Sequence, residues 1–245
     1  MQITDLISEL DSKRFGFKVA KFDAEGINLQ ELMKLMSFYE VKLCITKVSL
    51  EKVELLNILE QNRFLIKDVQ VTYKYDLDKP IPTINEKKSE ILIREATTKD
   101  KIEIETLARN SFSNYGHYAE DCKLPVEKVG DIYGEWARRS IEDKNVADKV
   151  FLAEINKEIA GFLSFKINNR DGFYYAAGGV GCVATKYRRQ NIFRLITIAG
   201  LEWGKQTNLA WEEHNVLITN YPVNYSFTKL GFKVYKSFAT LHCWV

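Results

Sequence analysis

Two periodicities share the chain. Apolar residues at every second position predict strands over residues 15–22, 41–48 and 64–77. Between them, apolar residues three and four apart predict helices over residues 28–39 and 51–62, the second with Val53, Leu55, Leu56 and Leu59 on one side. Residues 76–86, with Pro80 and Pro82, break both rhythms and read as a linker. A second pattern starts at Glu90: a strand over 91–96, a helix start at Thr97-Thr98-Lys99-Asp100, a helix over 102–108, a polar and aromatic loop over 110–125, and a helix over 126–143. Strands over 150–155 and 159–167 flank a tight turn at Asn156-Lys157, and Asn169-Arg170-Asp171-Gly172 makes another. A small-residue apolar strand through Gly181-Cys182-Val183-Ala184 leads into the basic loop Lys186-Tyr187-Arg188-Arg189-Gln190. From Asn191 an amphipathic helix follows, then a strand over 215–219, a short helix over 222–230 ended by Gly231, and a strand over 232–244. The pattern predicts an α/β chain in two units, a smaller one over residues 1–80 and a larger one over 88–245.

Composition narrows the function classes. With 245 residues and 46% hydrophobic content, a packed core is expected. A net charge of +2 makes no general case for nucleic acid or an anionic membrane as partner. No apolar run is long enough to span a bilayer, and Met1-Gln2-Ile3-Thr4-Asp5 lacks the opening of a signal peptide. Cys44, Cys122, Cys182 and Cys243 show no metal-ligand spacing and read as reduced thiols of a cytoplasmic protein. Cys182 reads as a buried, inert thiol, since no histidine is placed beside it by a motif.

The order strand, basic turn, helix makes an anion site. First-turn amides lack partners and the helix dipole favours negative charge there, so a pyrophosphate can rest on backbone N–H groups with arginines nearby. Arg188-Arg189-Gln190-Asn191-Ile192-Phe193 resembles motif A of the GNAT acyl-CoA N-acyltransferases, Arg/Gln-x-x-Gly-x-Gly/Ala, with Asn191 and Phe193 in place of the glycines. Asn tolerates left-handed backbone angles better than most residues. Asn220 followed by Lys229-Leu230-Gly231-Phe232 resembles that family's C-terminal signature, and the element order from residue 88 resembles its whole fold. The resemblance implies a mixed central sheet with two splayed strands and flanking helices, with coenzyme A as acyl carrier. It places Cys182, Val183 and Ala184 along the thioester, Arg188 to Phe193 at the pyrophosphate, Asn220 at the pantetheine arm and Phe227 against the acyl or pantetheine chain.

Within that family, Asp11-Ser12-Lys13-Arg14-Phe15-Gly16-Phe17, Phe112-Ser113-Asn114-Tyr115-Gly116-His117 and Tyr133-Gly134-Glu135-Trp136 resemble segments of the dTDP-amino-sugar N-acyltransferases. This implies acyl transfer from acetyl-CoA or a short hydroxyacyl-CoA to a dTDP-linked amino sugar for bacterial surface polysaccharide. Asn114, Tyr115, His117, Tyr118, Tyr133 and Trp136 offer the hydroxyls, amide, imidazole and ring faces a sugar nucleotide needs. His117 is the candidate for amine deprotonation or sugar positioning. The tyrosine that many such enzymes carry seven positions after the asparagine falls here on Phe227, so water or Tyr225 is expected to protonate the thiolate weakly. Two other readings stand beside this one: a binding module of the same fold without catalysis, and an acyltransferase for a protein N-terminus or polyamine. The oligomeric state is open, a homodimer being one option. Finally, Glu60-Gln61-Asn62-Arg63-Phe64 echoes Thr228-Lys229-Leu230-Gly231-Phe232, a faint internal repeat.

Overall fold

The computed structural model describes residues 3–84 and 91–245; the last two residues of the expected linker, and Lys88 and Glu90 where the second unit was expected to start, lie outside them. The strands are β1 (Lys18–Phe22), β2 (Val41–Ser49), β3 (Leu65–Asp76), β4 (Leu92–Glu95), β5 (Lys149–Ile155), β6 (Glu158–Arg170), β7 (Phe173–Val183), β8 (Trp211–Leu217) and β9 (Lys233–Trp244). They form one sheet in the order β1-β2-β9-β3-β8-β7-β6-β5-β4. The helices are α1 (Glu9–Phe15), α2 (Leu29–Phe38), α3 (Val53–Gln61), α4 (Lys101–Ser111), α5 (Gly116–Ala119), α6 (Val126–Glu142), α7 (Ile192–Gln206) and α8 (Tyr221–Lys229). No helix among the described residues is long and apolar enough to cross a membrane.

Three elements depart from the sequence pattern. Residues 9–15 form α1 and the first strand starts only at Lys18: the Ser8 side chain caps the helix by accepting the Asp11 amide, and Gly16 closes it at φ 79°. The loop over 110–125 contains the single turn of α5. Strand β8 begins at Trp211 rather than Asn215, because buried Glu212, Glu213 and His214 interrupt the apolar rhythm that marks a strand.

Alternation along the central strands sorts their side chains onto two faces. On one, Val71, Tyr73 and Tyr75 of β3 join the core beneath α7 and α8, while Ala239, Leu241 and Cys243 of β9 join the core beneath α2 and α3. The intervening positions are polar and buried: Asp68 and Thr72 on β3, Thr240 and His242 on β9. Burying polar groups without partners is costly, so a polar stripe at the centre of a sheet marks a place built for something other than packing.

The faint repeat has a structural counterpart. After α3, the Arg63 amide donates to the Glu60 carbonyl at 2.9 Å and the Phe64 amide to Leu59 at 3.0 Å; after α8, Gly231 donates to Thr228 at 3.1 Å and Phe232 to Phe227 at 3.0 Å. Arg63 (φ 65°) and Gly231 (φ 85°) occupy the same left-handed position. The relation runs through the strands. The pairs Leu65↔His242 and Lys74↔Lys233 interchange under one offset, 233 − 65 = 242 − 74 = 168, as do Ile66↔Leu241 with Tyr73↔Val234, and Gln70↔Phe238 maps onto itself. The same offset carries Leu43↔Trp244 onto Asp76↔Trp211. Two copies of a strand–helix–strand–helix–strand unit, β1-α2-β2-α3-β3 and β7-α7-β8-α8-β9, thus exchange their last strands: β9 pairs with β2, and β3 with β8.

At the far edge, Arg94 of β4 holds Asp100 through two contacts of 2.9 and 2.8 Å and Glu154 of β5 through contacts of 3.0 and 2.8 Å. The Arg94 guanidinium, with help from Thr97, lowers the Asp100 carboxyl to about 2. Because the folded value lies below the unfolded one, this carboxylate stabilises the fold at neutral pH, and the contribution is lost as pH falls toward about 2. Asp100→Asn should therefore cost about 2 kcal/mol in a neutral denaturant titration and much less at acid pH. An equal cost at both pH values would exclude the charge as the cause.

Candidate active site

Strands β7 and β8 run parallel and are paired only at Ala176↔Glu212, Ala177↔Glu213 and Gly178↔His214. Beyond that point β7 stays on β6 as far as Val183, while β8 stays on β3 as far as Leu217, and a gap opens between them. The parting point is built by two residues. Gly178 brings the β7 backbone against the His214 ring, so that a Cβ there would overlap the imidazole. His214 is fixed at 2.7 Å by Glu212, a wholly buried acid whose carboxyl burial pushes upward. Glu212 Oε2 has no hydrogen-bond partner among the described residues.

The lip of the gap is polar backbone. The Ala184 amide donates to the Ala160 carbonyl at 2.9 Å, and strand alternation turns the neighbouring Val183 amide to the open edge. Cys182 lies beneath, its thiol 3.9 Å from the Leu107 carbonyl and pushed up to about 12 by burial.

The turn after β7 carries the basic cluster. Lys186 pairs with Glu158, which also accepts the Tyr187 hydroxyl at 2.6 Å, so that part of the cluster is neutralised within the chain. Arg188, Arg189 and Gln190 are exposed, and Arg188 Nε reaches the Val183 carbonyl at 3.4 Å. Arg189 (φ 65°) and Asn191 (φ 57°) both adopt left-handed angles, so Asn191 provides the backbone turn for which the resembled motif uses glycine. No side chain caps α7; its first internal bond is from the Leu195 amide to the Asn191 carbonyl at 3.0 Å. The amides before it are free for an anion. Ile192 is buried, and Phe193 turns its ring edge-on to Phe227 at 5.4 Å, away from the turn.

Beyond β8, the Asn220 side chain does not cap α8. The Asn220 side chain and the Leu217 backbone both act on the Tyr115 phenol, which places a residue of the loop before α5 at the mouth of the gap. Phe227 is 1% exposed and packs against Tyr73, Phe193, His214 and Phe232, inside the core beneath α8. Tyr225 is 61% exposed, with Lys229 over its ring.

A second space, of about 440 Å³, lies beside the gap between α1, β1 and α6. His117, Tyr118, Tyr133 and Trp136 line it together, and Asp11, Lys21 and Gln70 are among its polar neighbours. Asn114 is exposed on the loop and is not among the lining residues. Trp136 sets its ring beside Gly179, the β7 residue just past the last β7–β8 pair. Gln70, in turn, is the β3 partner of Leu217. Asp11 is buried and accepts the Tyr118 hydroxyl at 3.0 Å, and it pairs with Arg14 at 3.1 Å and with Lys21. Burial would raise its carboxyl, but Lys21 with the Ser8 and Tyr118 hydroxyls outweighs that and holds it low. The sequence pattern passes over Asp11, Lys21, Asp68, Gln70, Asp121 and His242. Asp68, Gln70 and His242 had one visible signal: polar residues at alternate positions of two strands that the pattern places in the core.

No protein-family model matches the chain, and no curated protein matches it. Solved structures do. A tandem GNAT protein from the clavulanic acid biosynthesis pathway superposes with a TM-score of 0.61 at 14% identity, over 88% of this chain and 68% of that one. A GCN5-related N-acetyltransferase from Sphaerobacter thermophilus gives 0.62 at 12% identity, over 92% and 73%. Another from Kribbella flavida gives 0.59 at 11%, over 92% and 80%. With its splayed parallel pair, its turn at the start of α7 and these neighbours, the chain has the fold of the GCN5-related N-acetyltransferases.

Proposed function

We propose that the chain is an acyl-CoA-dependent N-acyltransferase. The observation that carries this reading is the gap between β7 and β8 opening beside a turn whose Arg189 and Asn191 take left-handed angles at the uncapped start of α7. The diphosphate of the donor rests on that turn and its thioester lies in the gap. There the Val183 amide faces the carbonyl oxygen as it becomes an oxyanion. The acceptor amine enters from the cavity beside Trp136 and gives up a proton to His117. The C–N bond forms, the C–S bond breaks, and the departing thiolate takes its proton from Tyr115, whose phenol burial keeps protonated.

An amino-6-deoxyhexose carried on dTDP, acylated for a bacterial surface polysaccharide, is the acceptor favoured by the N-terminal sequence resemblance. Trp136, 40% exposed, offers a ring face, and Arg14 and Arg139 offer cations at the same cavity. Acetyl-CoA and 3-hydroxybutanoyl-CoA are the donors to try first. Titration calorimetry with coenzyme A tests the donor site; no heat of binding to the wild type would overturn the reading. Arg188→Ala should raise the Michaelis constant for acetyl-CoA about tenfold and leave that of the acceptor unchanged. A thiol-release screen over dTDP-linked amino sugars, polyamines and N-terminal peptides identifies the acceptor class.

A further inference from the structure

Behind the cavity, three side chains from separate parts of the fold stand in line. Asp121, just past α5, accepts His242 Nδ1–H at 2.7 Å. The same carboxylate accepts Trp244 Nε1–H at 3.1 Å and the Lys123 amide at 3.2 Å. Burial would raise this carboxyl, but its donors win and hold it low, so it is an anion at neutral pH. His242 is buried on β9, and burial outweighs the pull of Asp121 and keeps its ring neutral. A neutral ring that donates from Nδ1 must accept at Nε2. That nitrogen lies 2.8 Å from His117 Nδ1. His117 therefore carries its proton on Nδ1, and its Nε2 lone pair is left for the cavity that the ring lines.

His117 itself is held from three sides. Its amide donates to Asp68 Oδ2 at 3.0 Å, its ring lies 3.9 Å from that of Tyr118, and His242 fixes the remaining edge. The charged groups around it are Asp11 on α1, Lys21 on β1, Lys47 on β2 and Asp68 on β3, and the titratable ring of His242 faces it from β9. Burial, with His242, Lys21 and Lys47, outweighs Asp11 and holds the imidazole well below its ordinary value, hence neutral and able to accept.

We propose that Asp121 and His242 are positioning residues that preset His117 as the proton acceptor for the incoming amine, a role that rests on the acyltransferase reading above. An ammonium R–NH₃⁺ passes one proton to His117 Nε2 and becomes the nucleophile R–NH₂. The imidazolium so formed keeps its Nδ1–H···Nε2 bond to the neutral His242 ring, with the Asp121 carboxylate behind it. The second proton leaves nitrogen after the C–N bond has formed, and the thiolate is protonated from the gap side, so the products are the amide, free thiol and one released proton.

Long-range ¹⁵N–¹H correlation spectra of histidine-labelled protein test this without any ligand. Both rings should be neutral at neutral pH with the proton on Nδ1. Asp121→Asn replaces a pure acceptor by a group that also donates; it should move the His242 proton to Nε2 and, through it, the His117 proton to Nε2. With acetyl-CoA and a dTDP-linked 4-amino-6-deoxyhexose, that variant should lose about a hundredfold in turnover. Its coenzyme A affinity should be unchanged. His242→Gln, whose carbonyl can still accept from His117, should keep the His117 tautomer and most turnover, whereas His242→Leu should lose both. A wild-type His117 protonated on Nε2, a cationic His242, or an Asp121→Asn protein with unchanged His117 shifts would overturn the relay. Failure of the wild type to bind coenzyme A would instead remove the acyltransferase reading, and the spectra would still decide the tautomers.

Discussion

Gly178→Val should lower the stability of the fold by about 3 kcal/mol or more and move the melting temperature down by about 10 °C. A Cβ at this position falls inside the His214 imidazole. The ring has nowhere to go: Glu212 holds one nitrogen, and the rings of Phe165, Phe227 and Phe232 enclose it at 5.8, 4.7 and 5.7 Å. Either β7 lifts away from β8 or the core beneath α7 and α8 opens, and each loses packed apolar area. His214→Ala alone should also destabilise, because it leaves the Glu212 carboxyl buried without its partner. The double variant should be more stable than the two separate costs imply, since the first substitution fills the space the second vacates. A Gly178→Val protein melting with the wild type would show that the last β7–β8 pair is not Gly178 with His214.

Tyr115→Phe should reduce turnover about a hundredfold while coenzyme A affinity stays within about twofold. Its phenol lies by Asn220 and the Leu217 backbone at the mouth of the gap, whereas the two tyrosines of α8 face outward: Tyr221 is 73% and Tyr225 61% exposed. Burial raises the Tyr115 phenol, so it is protonated when the thiolate leaves and can deliver a proton directly. Tyr225→Phe is the control and should be nearly silent. Single-turnover thiol release separates the chemical step from product release. A silent Tyr115→Phe variant would hand proton delivery to water.

The backbone of the turn proposed to hold the donor is legible in the sequence, because it is local. A strand of small residues, two arginines and an asparagine able to turn left are contiguous, and Asn191 does hold φ 57°. Phe227 was readable as the residue without a proton, but not as core: its burial depends on Tyr73 from β3, which reaches it only through the strand exchange. The cavity between α1, β1 and α6 is harder to read for the same reason. Asp121 and His242 are far apart in the chain and meet because β9 crosses to β2, a pairing no local pattern announces. Helix α1 was hidden by Phe15 and Phe17, whose alternation looks like a strand although Gly16 ends a helix between them.

The exchange of last strands also bears on how the chain is made. As the ribosome delivers the polypeptide from its N-terminus, β2 and β3 emerge early with facing edges that cannot close on each other, because the strand that belongs between them is β9. Residues 233–244 must be synthesised before Leu43 meets Trp244 or Leu65 meets His242. During that interval the nascent first unit presents open edges on both β2 and β3, the state most prone to pairing with other chains. Pairings this distant in sequence also close slowly once translation is complete. Trigger-factor or Hsp70-type holding during synthesis is therefore expected to raise the yield of native protein more than added folding time does, and fragments cut within residues 76–86 should accumulate as insoluble halves unless both are supplied together.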